Sequence, residues 1–144
     1  MEDELRQIRI IVEGGKSLNH ERLRNQFRNF LQNCLKGLQV DSYIGDYPTF
    51  MEPAFLGENV VIGDDALIGP RVYVGENCEI GDYVQISNSI IFENAKIGDN
   101  IKLENCIVMH NAWLLYKNDS EKNCIIDGRS FSKEHMKIIR INLE

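Results

Sequence analysis

The sequence predicts a mainly β fold of one kind: a parallel β-helix, in which the chain winds into stacked triangular coils. Three observations carry that expectation. An apolar residue returns at every sixth position through Ile44, Phe50, Leu56, Ile62, Ile68, Val74, Ile80 and Ile86. Glycine directly follows many of these, as at Gly57, Gly63, Gly69, Gly75 and Gly81, and Asp or Glu usually follows the glycine. The third is an offset of 17 residues: Ile80, Ile86, Ile91 and Ile97 recur as Ile97, Leu103, Val108 and Leu114. A six-residue period suits neither a 3.6-residue helix nor two-residue alternation. It suits a short strand plus a tight corner, three of which close a coil whose neighbours hydrogen-bond at about 4.8 Å.

Taken in chain order, residues 7–13 (QIRIIVE) read as a short strand closed by Gly14-Gly15. Over residues 19–36, Leu23, Phe27, Phe30, Leu31, Cys34 and Leu35 make the stripe of an amphipathic helix, stopped by Gly37. Its Arg22, Arg24 and Arg28 read first as a solvated face, with the acidic coils or a phosphate as the alternative. From residue 43 the coils begin, with a second inward series at Val60, Ala66, Val72, Cys78, Val84 and Ile90.

The corners have their own signature. Asn59, Asn77, Asn94 and Asn111 fall at spacings of 18, 17 and 17, so coil stacking places them in one column. Asn tolerates the left-handed backbone region better than nearly any residue but glycine, and its amides can bond along such a ladder. An echo of Asn88-Ser89-Ile90-Ile91 in Asn105-Cys106-Ile107-Val108 and Asn123-Cys124-Ile125-Ile126 extends the coils to residue 127. Residues 118–122 read as a polar bulge replacing one strand. About four to five coils result. The expected division is a strand-plus-helix flank over 1–42, the β-helix over 43–127 and a capping segment over 128–144, in which residues 137–143 (KIIRINL) read as a strand.

At 144 residues and 43% hydrophobic, the chain has the size and composition of one globular domain. The net charge is −6, and residues 44–116 carry three Lys or Arg against eleven Asp or Glu. That argues against nucleic acid or an anionic membrane as partner. No apolar run approaches the roughly 20 residues of a spanning helix. The acidic start lacks the pattern of a signal peptide. Cys34, Cys78, Cys106 and Cys124 lack C-x-x-C spacing and read as reduced thiols of a cytoplasmic protein.

The hexads from Leu56-Gly57 to Ile80-Gly81 resemble the hexapeptide-repeat, left-handed β-helix family, and the left hand of the coil is implied by that resemblance alone. The change to 17-residue coils through Asn88-Ser89-Ile90-Ile91-Phe92-Glu93-Asn94-Ala95-Lys96-Ile97-Gly98 resembles more narrowly the C-terminal domain of sugar-phosphate nucleotidyltransferases, such as glucose-1-phosphate thymidylyltransferase and mannose-1-phosphate guanylyltransferase. Those enzymes transfer nucleotides on an N-terminal α/β domain with a basic, glycine-rich loop. Some 42 residues precede the coils here, too few for that domain, so nucleotidyl transfer by this chain alone is not expected.

Other family members use the β-helix itself for acetyl transfer, with a histidine base between subunits of a homotrimer. The leading expectation is therefore transfer from acetyl-CoA to a sugar or sugar nucleotide. The alternative is a non-catalytic module that binds such a ligand or organises a separate nucleotidyltransferase subunit. A base with pKa near neutrality suits acyl transfer, which nominates His110, beside Asn111 at a corner and followed by Trp113 and Tyr116. Its structural reading is an exposed corner side chain. His20 and His135 read as structural. No metal is expected, because a catalytic zinc needs about three protein ligands and His110 is the one histidine on the coils. Cys106 and Cys124 read as small residues stacked on Ser89, and Asp64-Asp65 as solvated turn charges.

Overall fold

The computed structural model describes residues 1–40 and 42–144, the side chain of Lys16 aside. Two helices, α1 (Glu2–Glu13) and α2 (His20–Asn29), precede the coils. Short parallel strands then stack in register, each pairing with the strand one coil away: Ala54 opposite Val72, Val72 opposite Ser89, Ile90 opposite Ile107 and Ile107 opposite Ile125. The chain makes about five turns of a parallel β-helix. Its strands begin at Leu38–Val40.

The predicted Asn column is present. Asn59, Asn77, Asn94 and Asn111 have φ between 58° and 61°, and Gly128 continues the column at φ 100°. The other two corners obey the same rule, through Tyr47, Asp65, Tyr83, Asn100 and Asn118, and through Arg71, Asn88, Asn105 and Asn123. An amide-to-amide bond lies on the second of these corners, Asn100 Nδ2 to Asn118 Oδ1 at 2.8 Å. Glycine after the inward residue is a steric requirement: a Cβ on Gly81 would meet the Asp99 backbone nitrogen at 2.8 Å and its Oδ1 at 2.5 Å.

Three expectations need correction. Residues 7–13 lie in helix α1, not in a strand. Leu5, Ile8, Ile11 and Val12 bury one stripe while Ile10 stays exposed; the acidic Glu2, Asp3 and Glu4 suit the helix N-terminus. Packing of that stripe overrides the strand preference of its isoleucines. Next, Ile44 and Ile90 do not point inward. Ile44 is 73% exposed beside Val61, leaving Gly45 opposite Ile62. Ile90 pairs with Tyr73 on the outer surface, and Ser89 takes the inward place opposite Val72. Finally, residues 118–122 form no bulge: Asp119–Asp127 is one strand, with Asp119 opposite Ile101 and Glu121 opposite Leu103.

The amphipathic helix forms as expected, capped by the Asn19 side chain accepting from the Arg22 amide at 3.0 Å. Its last turn widens to π geometry over Phe30–Cys34. Both helices cover one side of the prism. That side presents outward Tyr73, Ile90, Phe92, Ile107, Met109 and Ile125, which form a second core with Ile8, Leu23, Phe27 and Phe30. A fully buried Ile, Leu or Phe contributes roughly 1.5–3 kcal/mol, so this outer core holds the helices firmly. Arg9 adds a clamp, donating to Glu93 Oε2 at 2.8 Å and lying 4.6 Å from the Phe92 ring centroid. The strand read over residues 137–143 forms over Lys137–Arg140, and it pairs antiparallel with Cys124–Asp127.

The last coil ends in charge. Glu121 occupies the interior column of Ile86 and Leu103 with its side chain 3% exposed. Lys133 and Arg140 from the C-terminal segment reach its carboxylate, and Lys133 also meets Asp119 Oδ1 at 3.1 Å. Burial raises the Glu121 pKa, but hydrogen bonds from both cations outweigh it and hold the carboxyl below its ordinary value.

Two outcomes follow for stability. Asn77→Ala should cost on the order of 1 kcal/mol in urea unfolding and Asn77→Gly clearly less, because only glycine enters the left-handed region without strain. The depressed Glu121 carboxyl gives stability that is present above its unfolded pKa near 4.5 and lost as pH falls through the lower folded value. Chemical denaturation from pH 7 to pH 3 should show that loss in the wild type. Glu121→Gln should be less stable at pH 7 and show a flatter pH profile.

Candidate functional site

His110 stands where the helix-covered side of the prism meets its next corner, its side chain 39% exposed. The coil fixes its backbone, because Asn111 beside it takes the left-handed corner conformation. Asn111 Nδ2 lies 3.1 Å from the ring Nδ1, and Nε2 lies 3.6 Å from Glu13 Oε1 at the end of α1. With the amide donating, Nδ1 accepts and Nε2 carries the proton.

A pocket of about 190 Å³ opens beside this ring. Val12, Met109, Ile125 and Ile139 give it an apolar floor, while Glu13, His110, Asp127 and Lys137 bring polar groups to its mouth. Each part comes from a different element: α1 supplies Val12 and Glu13, the coils supply Met109 to His110 and Ile125 to Asp127, and the C-terminal strand supplies Lys137 and Ile139. Asp127 Oδ1 accepts from the Gly128 amide at 2.8 Å, which fixes the carboxylate at the rim. Asp127 and Lys137 are also register partners across the antiparallel pair.

Sequence reasoning nominated His110 and did not name Glu13, Asp127 and Lys137, which line the pocket beside it. Glu13 was hidden by reading residues 7–13 as a strand; the signal that would have placed it is the helical spacing of Leu5, Ile8, Ile11 and Val12. Trp113 and Tyr116 do not join His110. Trp113 lies on another side of the prism, between Lys96 and Arg129, and Tyr116 packs against the prism core. His20 is exposed in the first turn of α2 and His135 in a short turn before the last strand.

Other candidate groups have structural roles. Cys106 and Cys124 stack inside the prism on the Ser89 rung, their sulfurs 3.6 Å apart. The mutual hydrogen bond and burial push the Cys124 thiol up, away from the reactive thiolate. Burial likewise lifts Cys78 to about 12. Arg24 and Arg28 brace the C-terminal segment, donating to the carbonyls of Asn142 and Glu144, so the basic face of α2 is only partly solvated. Among the described residues, no three His, Cys, Asp or Glu are grouped so as to hold a metal. Nor, among them, is any helix long and apolar enough to cross a membrane.

Among solved structures, the chain is similar to several acetyltransferases. A putative acetyltransferase of Bacillus cereus is 20% identical, with 74% of this chain and 78% of that one aligned and a TM-score of 0.32. A hexapeptide-repeat acetyltransferase of Vibrio cholerae is 14% identical over 97% and 91%, with a TM-score of 0.37. A maltose O-acetyltransferase of Clostridium difficile is 14% identical over 97% and 84%, with a TM-score of 0.32. At these identities and scores the likeness does not carry acetyl transfer to this chain. No curated relative matches it. Residues 50–139, more than half of the chain, match the family model of the GMPPB C-terminal domain. Together with the in-register coils and their corner columns, that match places the chain in the GMPPB C-terminal domain family, as a hexapeptide-repeat left-handed β-helix.

Proposed function

We propose that the chain is a ligand-binding β-helix module that serves a separate nucleotidyltransferase subunit, and that it transfers no acyl group itself. The observation that carries this reading is the state of His110: both ring nitrogens face polar partners of the same chain, at the mouth of a pocket with an apolar floor. A ring set between an amide and a carboxylate of its own chain suits ligand recognition.

The ligand class is a monosaccharide or its phosphate. Val12, Met109, Ile125 and Ile139 offer an apolar floor to the C–H face of a sugar ring. The carboxylates of Glu13 and Asp127 accept from hydroxyls, and the Lys137 ammonium suits a phosphate. The size of the pocket, 190 Å³, suits the sugar and leaves a nucleotide outside. Membership of the GMPPB C-terminal domain family supports a setting in sugar-nucleotide metabolism.

The test is a thermal-shift titration with glucose 1-phosphate and mannose 1-phosphate. A saturable rise in Tm is expected, worth about 2.7 kcal/mol at 100 times Kd. Asp127→Asn and Lys137→Ala should lose it while keeping the unliganded Tm within a few degrees. No shift with either sugar phosphate, together with a saturable shift from acetyl-CoA that His110→Ala abolishes, would overturn the reading in favour of acyl transfer.

A further inference from the structure

The last strand of the chain, Lys137–Arg140, is used on both of its faces. Its register partners are Cys124 for Arg140, Ile125 for Ile139, Ile126 for Ile138 and Asp127 for Lys137. Side chains alternate along a strand, so the four residues divide into two pairs. Ile138 and Arg140 lie opposite the inward Ile126 and Cys124. Ile138 packs against the prism core, and Arg140 reaches the buried Glu121 carboxylate. Lys137 and Ile139 belong to the other face and line the pocket beside His110. Glu121 is not part of that lining; it lies on the inner side of the strand.

The strand is anchored unevenly. Lys133, four residues ahead of it, meets both Glu121 and Asp119, and Asp119 Oδ2 is a further buried acceptor in the same cluster. Lys133 therefore keeps a carboxylate when Glu121 is replaced. Arg140 has Glu121 alone: among the described residues, no other acid pairs with it. Its Nη1 donates to Glu121 Oε2 and its Nη2 faces Oε1 at 3.4 Å, a two-pronged contact that fixes the guanidinium. The residue before it, Ile139, is a wall of the pocket.

We infer that Glu121 is a positioning residue for the pocket: through Arg140 it sets where the last strand holds Ile139 and Lys137. The inference rests on the reading of that pocket as a sugar-phosphate site. Glu121 touches no ligand. It is fixed in the coil stack, it holds the cation on the strand's inner face, and the binding groups on the outer face take their place from that pair. Sites lose affinity when such supporting contacts loosen, even with every contact residue intact.

The test joins hydrogen exchange on the full chain with ligand titration. Arg140→Gln should speed exchange of the amides of residues 137–141 about tenfold, the scale of one coupled contact. The amides of residues 101–108, within the coils, should keep their wild-type protection. The Kd for glucose 1-phosphate and mannose 1-phosphate should rise by a similar factor. Arg140→Lys, which keeps the charge, should recover most of that affinity. Glu121→Gln should also weaken binding. The double variant should be no weaker than the worse single one, because the two side chains act through one contact. A general loss of stability would instead raise exchange in the coils as well. Arg140 is 61% exposed, so its variants should fold. Unchanged protection of residues 137–141 in Arg140→Gln, an unchanged Kd, or single effects that add would each overturn the proposal. A wild type that binds neither sugar phosphate would overturn the ligand reading, and the exchange result would still decide whether Glu121 positions the strand.

Discussion

Everything in this molecule depends on strands that stack in register at one spacing. Each coil must return to the same outline as the coil beneath, so every corner turns within a residue or two. That turn requires a positive φ, and it recurs at Asn59, Asn77, Asn94, Asn111 and Gly128 on one corner alone. Once the corners are set, alternation of side chains sends one set inward as the aliphatic columns of Ile62, Ile80, Ile97 and Leu114 and another set outward. The fold is therefore less a matter of helix or strand propensity than of repeated backbone geometry.

The outward sets are what differentiate the three sides. On one, outward positions are apolar in coil after coil, from Tyr73 through Ile90 and Ile107 to Ile125, and the helices complete a second core there. On the next, apolar, charged and aromatic residues follow one another. The third presents Leu67, Gln85, Lys102 and Ser120. The His110 pocket lies at the seam of the first side, where the end of α1 and the C-terminal strand meet the coil. Its geometry is a product of the helix packing as much as of the coil.

The repeat was legible because every coil states it again. Where repetition stops, legibility stops. Ile44 kept the six-residue phase but lies in the first coil, where Gly45 pairs with Ile62 at an offset of 17 residues while Ile62 pairs with Ile80 at 18, so Gly45 takes the inward position. Ile90 looked like a core residue because it is one, of the outer core under the helices; nothing in a six-residue period tells a buried outer face from a buried inner one. The β-branched run of residues 8–12 reads as a strand until its stripe is matched to a partner surface, and that surface exists only after the coils have formed. Glu13, Asp127 and Lys137 could not be joined to His110 before these packings were known, since they come from segments far apart in the chain.

The buried Glu121 has a meaning for the length of the stack. An inward position that is aliphatic accepts another coil on top of it at no electrostatic cost. One that holds a carboxylate bound by Lys133 and Arg140 does not: an added coil would have to displace both cations and strand the charge in a dry interior. The acid works as a terminator written into the repeat itself. It closes the stack to further growth at that end and confines any lengthening of the prism by duplicated coils to positions that precede it.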